Sequence, residues 1–487
     1  MSKKLLFISL VIQIVFSETY KDRIKVYIEN SYVDFQLDDA ESLSNNNDFN
    51  NLMVLHGANK IDYWLPNALP TDRDGDVYLN RFYIIYFDES AVNISHAYKD
   101  FDQLDIVKNV EYVRVIKIDY TPNDPYWNQQ WGLDYIEAAA AYDLWDIENG
   151  DLPGQMEDGE MVVGIPDIGF KWNHPDMVGN AWQNLGEDAD GDGVVIVQSG
   201  NSWIFDPGDV NGIDDDGDNY VDNFVGWDAA FNDNDPSPVT NSHDHGTLVG
   251  GCVSSSTDNG LGVASVGWSV KLMGVNGSTQ DDVFTDSDPA TLAAAQMGAN
   301  VINMSFGAQG SCYTSEQNLY NVIFNNYGAI LVTSSGNGVD GETNFDDMTP
   351  SSCDNVLSVS AVDQGDNFGC WASAGPTVDF CAPGRQIVTT DVPSGYSSVN
   401  GTSFASPIAS GAIALLWSRF PSLDKQTVID RIVDNTDEFA DMNGTCQGTS
   451  LTGMLGSGRL NIYKALTAGV YPSLYVSEVN YLNDSDD

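Results

Sequence analysis

Five apolar runs spread over residues 161–362 constrain the fold of this chain more than any other feature. They read MVVGIPDIG (161–169), VKLMGV (270–275), NVINMSFG (300–307), AILVTSSGN (329–337) and NVLSVSAV (355–362). Apolar residues predominate in each of them. Each therefore predicts a strand buried on both faces, which is the pattern of a parallel sheet. Helical stretches lie between them, such as DPATLAAAQMGA (288–299) and SEQNLYNVIFNNY (315–327). Parallel strands need crossovers of this kind, and the alternation predicts an open α/β sheet. Ligands of such sheets bind beyond the carboxyl ends of the strands. Asp167, Ser305 and Asn337 stand at the ends of three of the runs and become candidates for a site.

The flanks differ from this middle. Lys3 and Lys4 precede an apolar stretch over residues 5–16, and small residues lead to Ser17. This predicts a secretory signal over residues 1–17 and an extracellular protein. A membrane anchor needs about 18 or more apolar residues, and Glu18 interrupts too soon. No later segment is long and apolar enough, so no membrane association is expected after signal removal. Residues 18–120 contain RFYIIYF (81–87) and VEYVRVIKID (110–119), which read as strands around a helix from Ser95 to Val107. That is a small α+β domain. TPNDPYWNQQWG (121–132) breaks regular structure with two prolines and opens the main domain, 121–470. Within it, residues 183–240 form an Asp/Asn/Gly-rich insert without apolar periodicity. Residues 471–487 read either as an acidic tail or as the first strand of a further β domain.

Charge and cysteine usage narrow the partners. The formal charge is −51, from 71 acidic and 20 basic residues. Nothing here would displace counterions from phosphates, so nucleic acid and anionic membranes are excluded. The excess suits a saline habitat and bound divalent cations, and both are expected to act. The chain has six cysteines and no CxxC spacing. An exported chain of this kind predicts disulfides rather than zinc. Cys370–Cys381 and Cys312–Cys353 are the expected pairs, because each brackets one short segment.

Peptide-bond hydrolysis needs an activated nucleophile, a base, a carboxylate to orient the base, and donors for the oxyanion. GTSFASPIASG (401–411) offers Ser403 at the start of a helical run. A lone serine there is more commonly a helix cap. HDHGTLVGG (243–251) offers His245 at another helix start, in a chain with only five histidines. VVGIPDIG (162–169) offers Asp167, a carboxylate whose burial is costly unless it holds a partner. SSGNG (334–338) offers Asn337 as an amide donor, although a turn asparagine is the commoner role.

Taken together, these segments resemble the subtilisin-like serine proteases, the subtilases. GTSFASP matches the family's serine motif G-T-S-x-A-x-P, HGTLVGG its histidine motif, and IPDIGF with HPDM (174–177) its aspartate motif. Their order, aspartate before histidine before serine, is that of this family. The resemblance covers roughly residues 121–470. It implies a three-layer α/β fold with a mainly parallel central sheet, preceded by a small α+β propeptide over 18–120. It implies Asp167, His245 and Ser403 as catalytic residues and Asn337 in the oxyanion hole. It implies Ser305, Phe306 and Gly307 as the strand that pairs with substrate, and Ser335 and Gly336 as a pocket wall. Protein or peptide substrates follow, with the propeptide as an intramolecular inhibitor, and a monomer is expected. His243 then reads as a loop residue. Three positions depart from the family pattern: Pro166, which removes a backbone donor before Asp167, Leu248 in the histidine motif, and Ile408 after the serine motif. A catalytically inactive binding module is the competing reading, but no triad residue is missing. An esterase elbow G-x-S-x-G does not fit GTSFA.

The insert carries a second expectation. EDADGDG (187–193) spaces Asp188, Asp190 and Asp192 at alternate positions, and NGIDDDGDNYVDN (211–223) does the same with Asp214, Asp216 and Asp218 before Asp222. Such carboxylates can converge on one hard cation, with glycine allowing the sharp turn. A structural Ca2+ is expected, and subtilases commonly bind calcium in loops. A solvated acidic loop is the alternative. The stretches lack the position-twelve glutamate and flanking helices of an EF-hand.

Overall fold

The computed structural model describes residues 19–468, apart from 33–34, 39–42, 89–91, 115–119, 243 and 280–282. The expected signal, His243 and the 471–487 tail lie outside the described residues. The chain divides into two compact units, Met1–Ile118 and Asp119–Asp487.

The first unit is an antiparallel sheet with two helices. Its strands are β1 (Thr19–Ile28), β2 (Ala58–Tyr63), β3 (Phe82–Phe87) and β4 (Val107–Arg114), in the order β2-β3-β1-β4. Helices α1 (Asn47–Leu55) and α2 (Ile94–Asp102) pack Phe49, Met53 and Phe101 against Ile24, Val26 and Ile85 of the sheet. The expected α+β character is present. Two details differ. The helix ends at Asp102 rather than Val107, because Val107 already belongs to β4. Strand β1 carries lysines and arginine and gave no apolar run, yet it is central, with Ile24, Val26 and Ile28 buried at alternate positions.

The second unit is built on a seven-stranded, wholly parallel sheet. Its strands are β5 (Val162–Asp167), β8 (Gly226–Asp228), β9 (Lys271–Asn276), β10 (Val301–Met304), β12 (Ile330–Ser334), β14 (Val356–Val362) and β15 (Phe380–Pro383). They run in the order β8-β9-β5-β10-β12-β14-β15. Successive residues of a strand point to opposite faces, so each apolar run feeds two cores. Val163, Ile165, Val301, Ile330 and Val332 join one core with α3 (His245–Ser254) and α5 (Thr402–Arg419). Val162, Ile302, Met304 and Leu331 join the other with α4 (Ser287–Gln296). That division makes three layers. Two short pairs complete the unit near the site: β11 (Ala308–Gln309) with β13 (Met348–Thr349), and β16 (Ile387–Asp391) with β17 (Gly395–Val399).

The insert is more ordered than its composition predicts. It holds a hairpin of β6 (Ile196–Ser199) and β7 (Ser202–Phe205), and it supplies β8, the edge strand of the central sheet. Phe205 stacks on Trp172 at 5.1 Å between ring centroids. The disulfides also differ in part. Cys312–Cys353 forms as expected, but Cys370 pairs with Cys446, not Cys381. Cys381 lies on β15, at one edge of the parallel sheet, yet is fully buried and stays a free thiol, as does buried Cys252. A local bracket in sequence does not overcome a strand that turns its cysteine into the core.

Candidate active site

The order β5-β10-β12 sets three strand ends side by side. Asp167 ends β5, Ser305–Gly307 continues β10, and Ser335–Asn337 continues β12. Helices α3 and α5, on one face of this sheet, begin with the other two candidates.

Asp167 is 2% exposed, and its carboxylate oxygens lie 2.9 and 3.0 Å from His245 Nδ1. A carboxylate accepts only, so Nδ1 carries a proton, and in the neutral ring Nε2 then keeps its lone pair. The glycine after the histidine is what permits this approach. A Cβ on Gly246 would sit 2.3 Å from Gly169 O and 2.8 Å from Asp167 Cβ. Thr247 then fixes the start of α3, accepting Lys171 N–H at its Oγ1 and Thr390 Oγ1–H at its carbonyl. Pro166 does not keep Asp167 from His245: the β5 ladder with β10 covers only Val163 and Gly164, and although Pro166 sits opposite Val275 of β9, the Asp167 carboxylate still reaches Nδ1. Leu248 and Ile408, the other departures, are both packed in the core.

Ser403 occupies the first turn of α5, where backbone N–H groups have no helical acceptor. Pro407 lies four residues on and has no N–H to donate, so the Ser403 carbonyl is released from the helical ladder. Ser305 Oγ–H fills that vacancy at 2.8 Å, and Ser403 Oγ–H reaches back to Ser305 O at 3.4 Å. Asn303 extends the tie. Its Nδ2 donates to Ser305 Oγ, and its Oδ1 accepts from Ser406 and Ser410 of α5. The helix is thereby indexed to the end of β10. The His245 ring lies 5.9 Å from the ring of Phe404, the neighbour of Ser403. Neither Asn303 nor Pro407 entered the sequence-derived site, although the spacing of Pro407 to Ser403 was a readable signal.

Asn337 is exposed, and its orientation is set by chemistry. The Thr402 backbone N–H and Oγ1–H both donate to Asn337 Oδ1, at 2.8 and 3.0 Å. A main-chain N–H can only donate, so the other side-chain atom is the amide nitrogen, available as a donor beside Ser403. Ser335 is buried and donates to Ser373 O.

Two of the expected acidic stretches do gather carboxylates, but not alone. Asp188 and Asp190 are joined by Asp209, and Asp214 and Asp216 by Glu187, each trio with oxygens within 4.8 Å of one another. Asp192, Asp218 and Asp222 are in neither trio. They accept backbone N–H groups of Val194, Tyr220 and Gly212 instead, as turn asparates do. Asp209 is fully buried; its Oδ1 accepts two N–H groups, and its Oδ2 has no partner. An orphaned buried carboxylate oxygen beside two more carboxylates fits a hard cation. A further pair was not foreseen. Asp124 and Asp176 are buried, and burial pushes both upward, Asp176 to about 7; the Asp124 carboxylate raises Asp176 further, and that of Asp258 raises Asp124. Asp124 Oδ1 also lacks a partner, so this pair too fits a cation.

Residues 158–458 match the model of the subtilase family. The chain is 30% identical to an extracellular protease of Xanthomonas campestris pv. campestris, over 75% of this chain and 60% of that protein. It is 29% identical to a thermophilic serine proteinase of Bacillus sp. strain AK1, over 77% of this chain and 76% of that protein. It is 29% identical to thermitase of Thermoactinomyces vulgaris, over 71% of this chain and 99% of that protein.

Proposed function

The chain belongs to the subtilase family, and from that premise we propose that it is a secreted, calcium-stabilised serine endopeptidase. The observation that carries this is the contact of His245 Nδ1 with both oxygens of buried Asp167, beside a helix start that holds Ser403. Ser403 Oγ attacks the scissile carbonyl carbon while His245 Nε2 takes its proton. Asp167 holds the tautomer and balances the imidazolium. The oxyanion accepts from Asn337 Nδ2 and the Ser403 backbone N–H. The carbon–nitrogen bond then breaks, and the amine leaves with the proton from His245. Water repeats the sequence on the acyl-enzyme, and Ser403 is restored. The substrate lies extended along Ser305–Gly307, where backbone pairing gives affinity without a side-chain requirement.

Residues 1–17 serve as the export signal and 18–120 as an inhibitory propeptide in this reading. Relatives named extracellular support export, and no described helix is long and apolar enough to cross a membrane. Calcium neutralises carboxylates whose packing is otherwise repulsive. Asp188, Asp190 and Asp209 would hold one ion, and Asp124 with Asp176 another.

Casein hydrolysis with calcium, beside labelling by a serine-directed fluorophosphonate, tests the reading. Wild type is expected to cleave and label. Ser403→Ala is expected to do neither, and Asn337→Ala to lose about 10²–10³ in kcat with little change in KM. A folded wild type that neither cleaves nor labels refutes it.

A further inference from the structure

The two segments that continue β10 and β12 each contain a glycine, and both glycines turn toward the same short strand. A Cβ on Gly307 would meet Thr349 O at 2.7 Å. A Cβ on Gly336 would meet Met348 Cε at 3.2 Å and Ser373 Oγ at 2.8 Å. Strand β13, Met348–Thr349, thus touches both walls of the slot between them.

The Met348 side chain is held there. Its thioether lies 3.4 Å from Asn344 Nδ2, and its backbone pairs with Gln309 of β11, two residues past Gly307. Thr349 Oγ1–H donates to Glu316 Oε2, and the Cys312–Cys353 disulfide ties the segments that flank β11 and β13. Glycines on both walls leave room for a broad substrate side chain. A methionine entering from β13 takes part of that room, and it is the one long apolar side chain that these contacts bring against Gly336.

We propose that Met348 forms the floor of the pocket for the substrate residue on the acyl side of the scissile bond, and that it restricts this pocket to small or slender side chains. The inference rests on the protease reading, because that reading makes these two segments the substrate walls. Methionine is unbranched and deformable, so the restriction is graded: short residues enter freely, and large aromatic residues must displace the thioether.

The test compares kcat/KM for two peptide anilides that differ only in the residue before the scissile bond, phenylalanine or alanine. The ratio of the two constants does not depend on the fraction of active protein. Met348→Gly is expected to raise the Phe/Ala ratio at least about tenfold, since one methylene in such a pocket is worth about that. Met348→Ala, the milder change to β13, is expected to move it in the same direction by less. Variants that cleave both anilides with the wild-type ratio overturn the floor and leave the protease reading intact. A wild type that fails to hydrolyse casein and to label with fluorophosphonate overturns both.

Discussion

Single side chains here show how burial sets chemistry. Asp167 is buried against a histidine that can donate to it, so its charge has a use. Asp379 is half-buried with the Ser358 N–H on its carboxylate, and desolvation pushes it up to about 6. An unfolded aspartate titrates near 3.9. Between those values the folded chain holds a proton that the unfolded chain has lost, so stability falls as pH rises through that window and stays lower above it. Asp379→Asn keeps an oxygen for Ser358 N–H and removes the charge. It is expected to stabilise the protein at pH 8 by more than at pH 5, the difference bounded at about 1 kcal/mol, since only the part of the window above pH 5, about one pK unit, lies between them. Denaturant titrations in calcium buffer at the two pH values measure it, and an equal effect at both would sink the argument.

Elements of the insert depend on charge in a different way. Hairpin β6–β7 is flanked by Asp190 on one side and Asp209 on the other, and it lays Phe205 on Trp172. A cation shared by Asp188, Asp190 and Asp209 would close the base of this hairpin. Chelation by EDTA is expected to lower the wild-type Tm. Calcium at a hundredfold excess over Kd supplies about 2.7 kcal/mol per site. Asp209→Asn is expected to show one calcium site fewer by titration calorimetry and a smaller response to EDTA. Identical calcium stoichiometry in both proteins would remove Asp209 from the ligand set. Composition alone marked this region as acidic loop, because a four-residue strand with one face exposed has too few apolar residues to show a period.

At the scale of the whole molecule, two units share one chain, with their division at Ile118 and Asp119. The proposed propeptide must be cut from the catalytic unit, and the proposed nucleophile is the agent of that cut. Wild type is expected to be secreted as a shortened chain whose new N-terminus lies near residues 118–125. Ser403→Ala is expected to keep residues 18–120 covalently attached. Gel mass and N-terminal sequencing of both secreted proteins decide it. A Ser403→Ala chain processed like wild type, in a host lacking other proteases that cut there, would break the link between the two units. The charge of −51 belongs to this scale as well: it governs solubility and which partners approach, and says nothing about the fold.

The sequence by itself determined the parallel sheet, since a series of mainly apolar runs separated by helical stretches suits strands buried between two layers. It also determined the identities of Asp167, His245, Ser403 and Asn337 as candidates, because each lies in a short motif whose neighbours serve local geometry: Gly246 for close approach, Pro407 to release a carbonyl. Tertiary structure alone decided which groups meet across loops. Asp209 joins Asp188 and Asp190, Glu187 joins Asp214 and Asp216, Cys446 rather than Cys381 reaches Cys370, and Met348 comes to lie against Gly336. A local pattern encodes the period of an element. Contacts between distant loops depend on where packed strands and helices leave the ends of those loops, and no period along the chain records that.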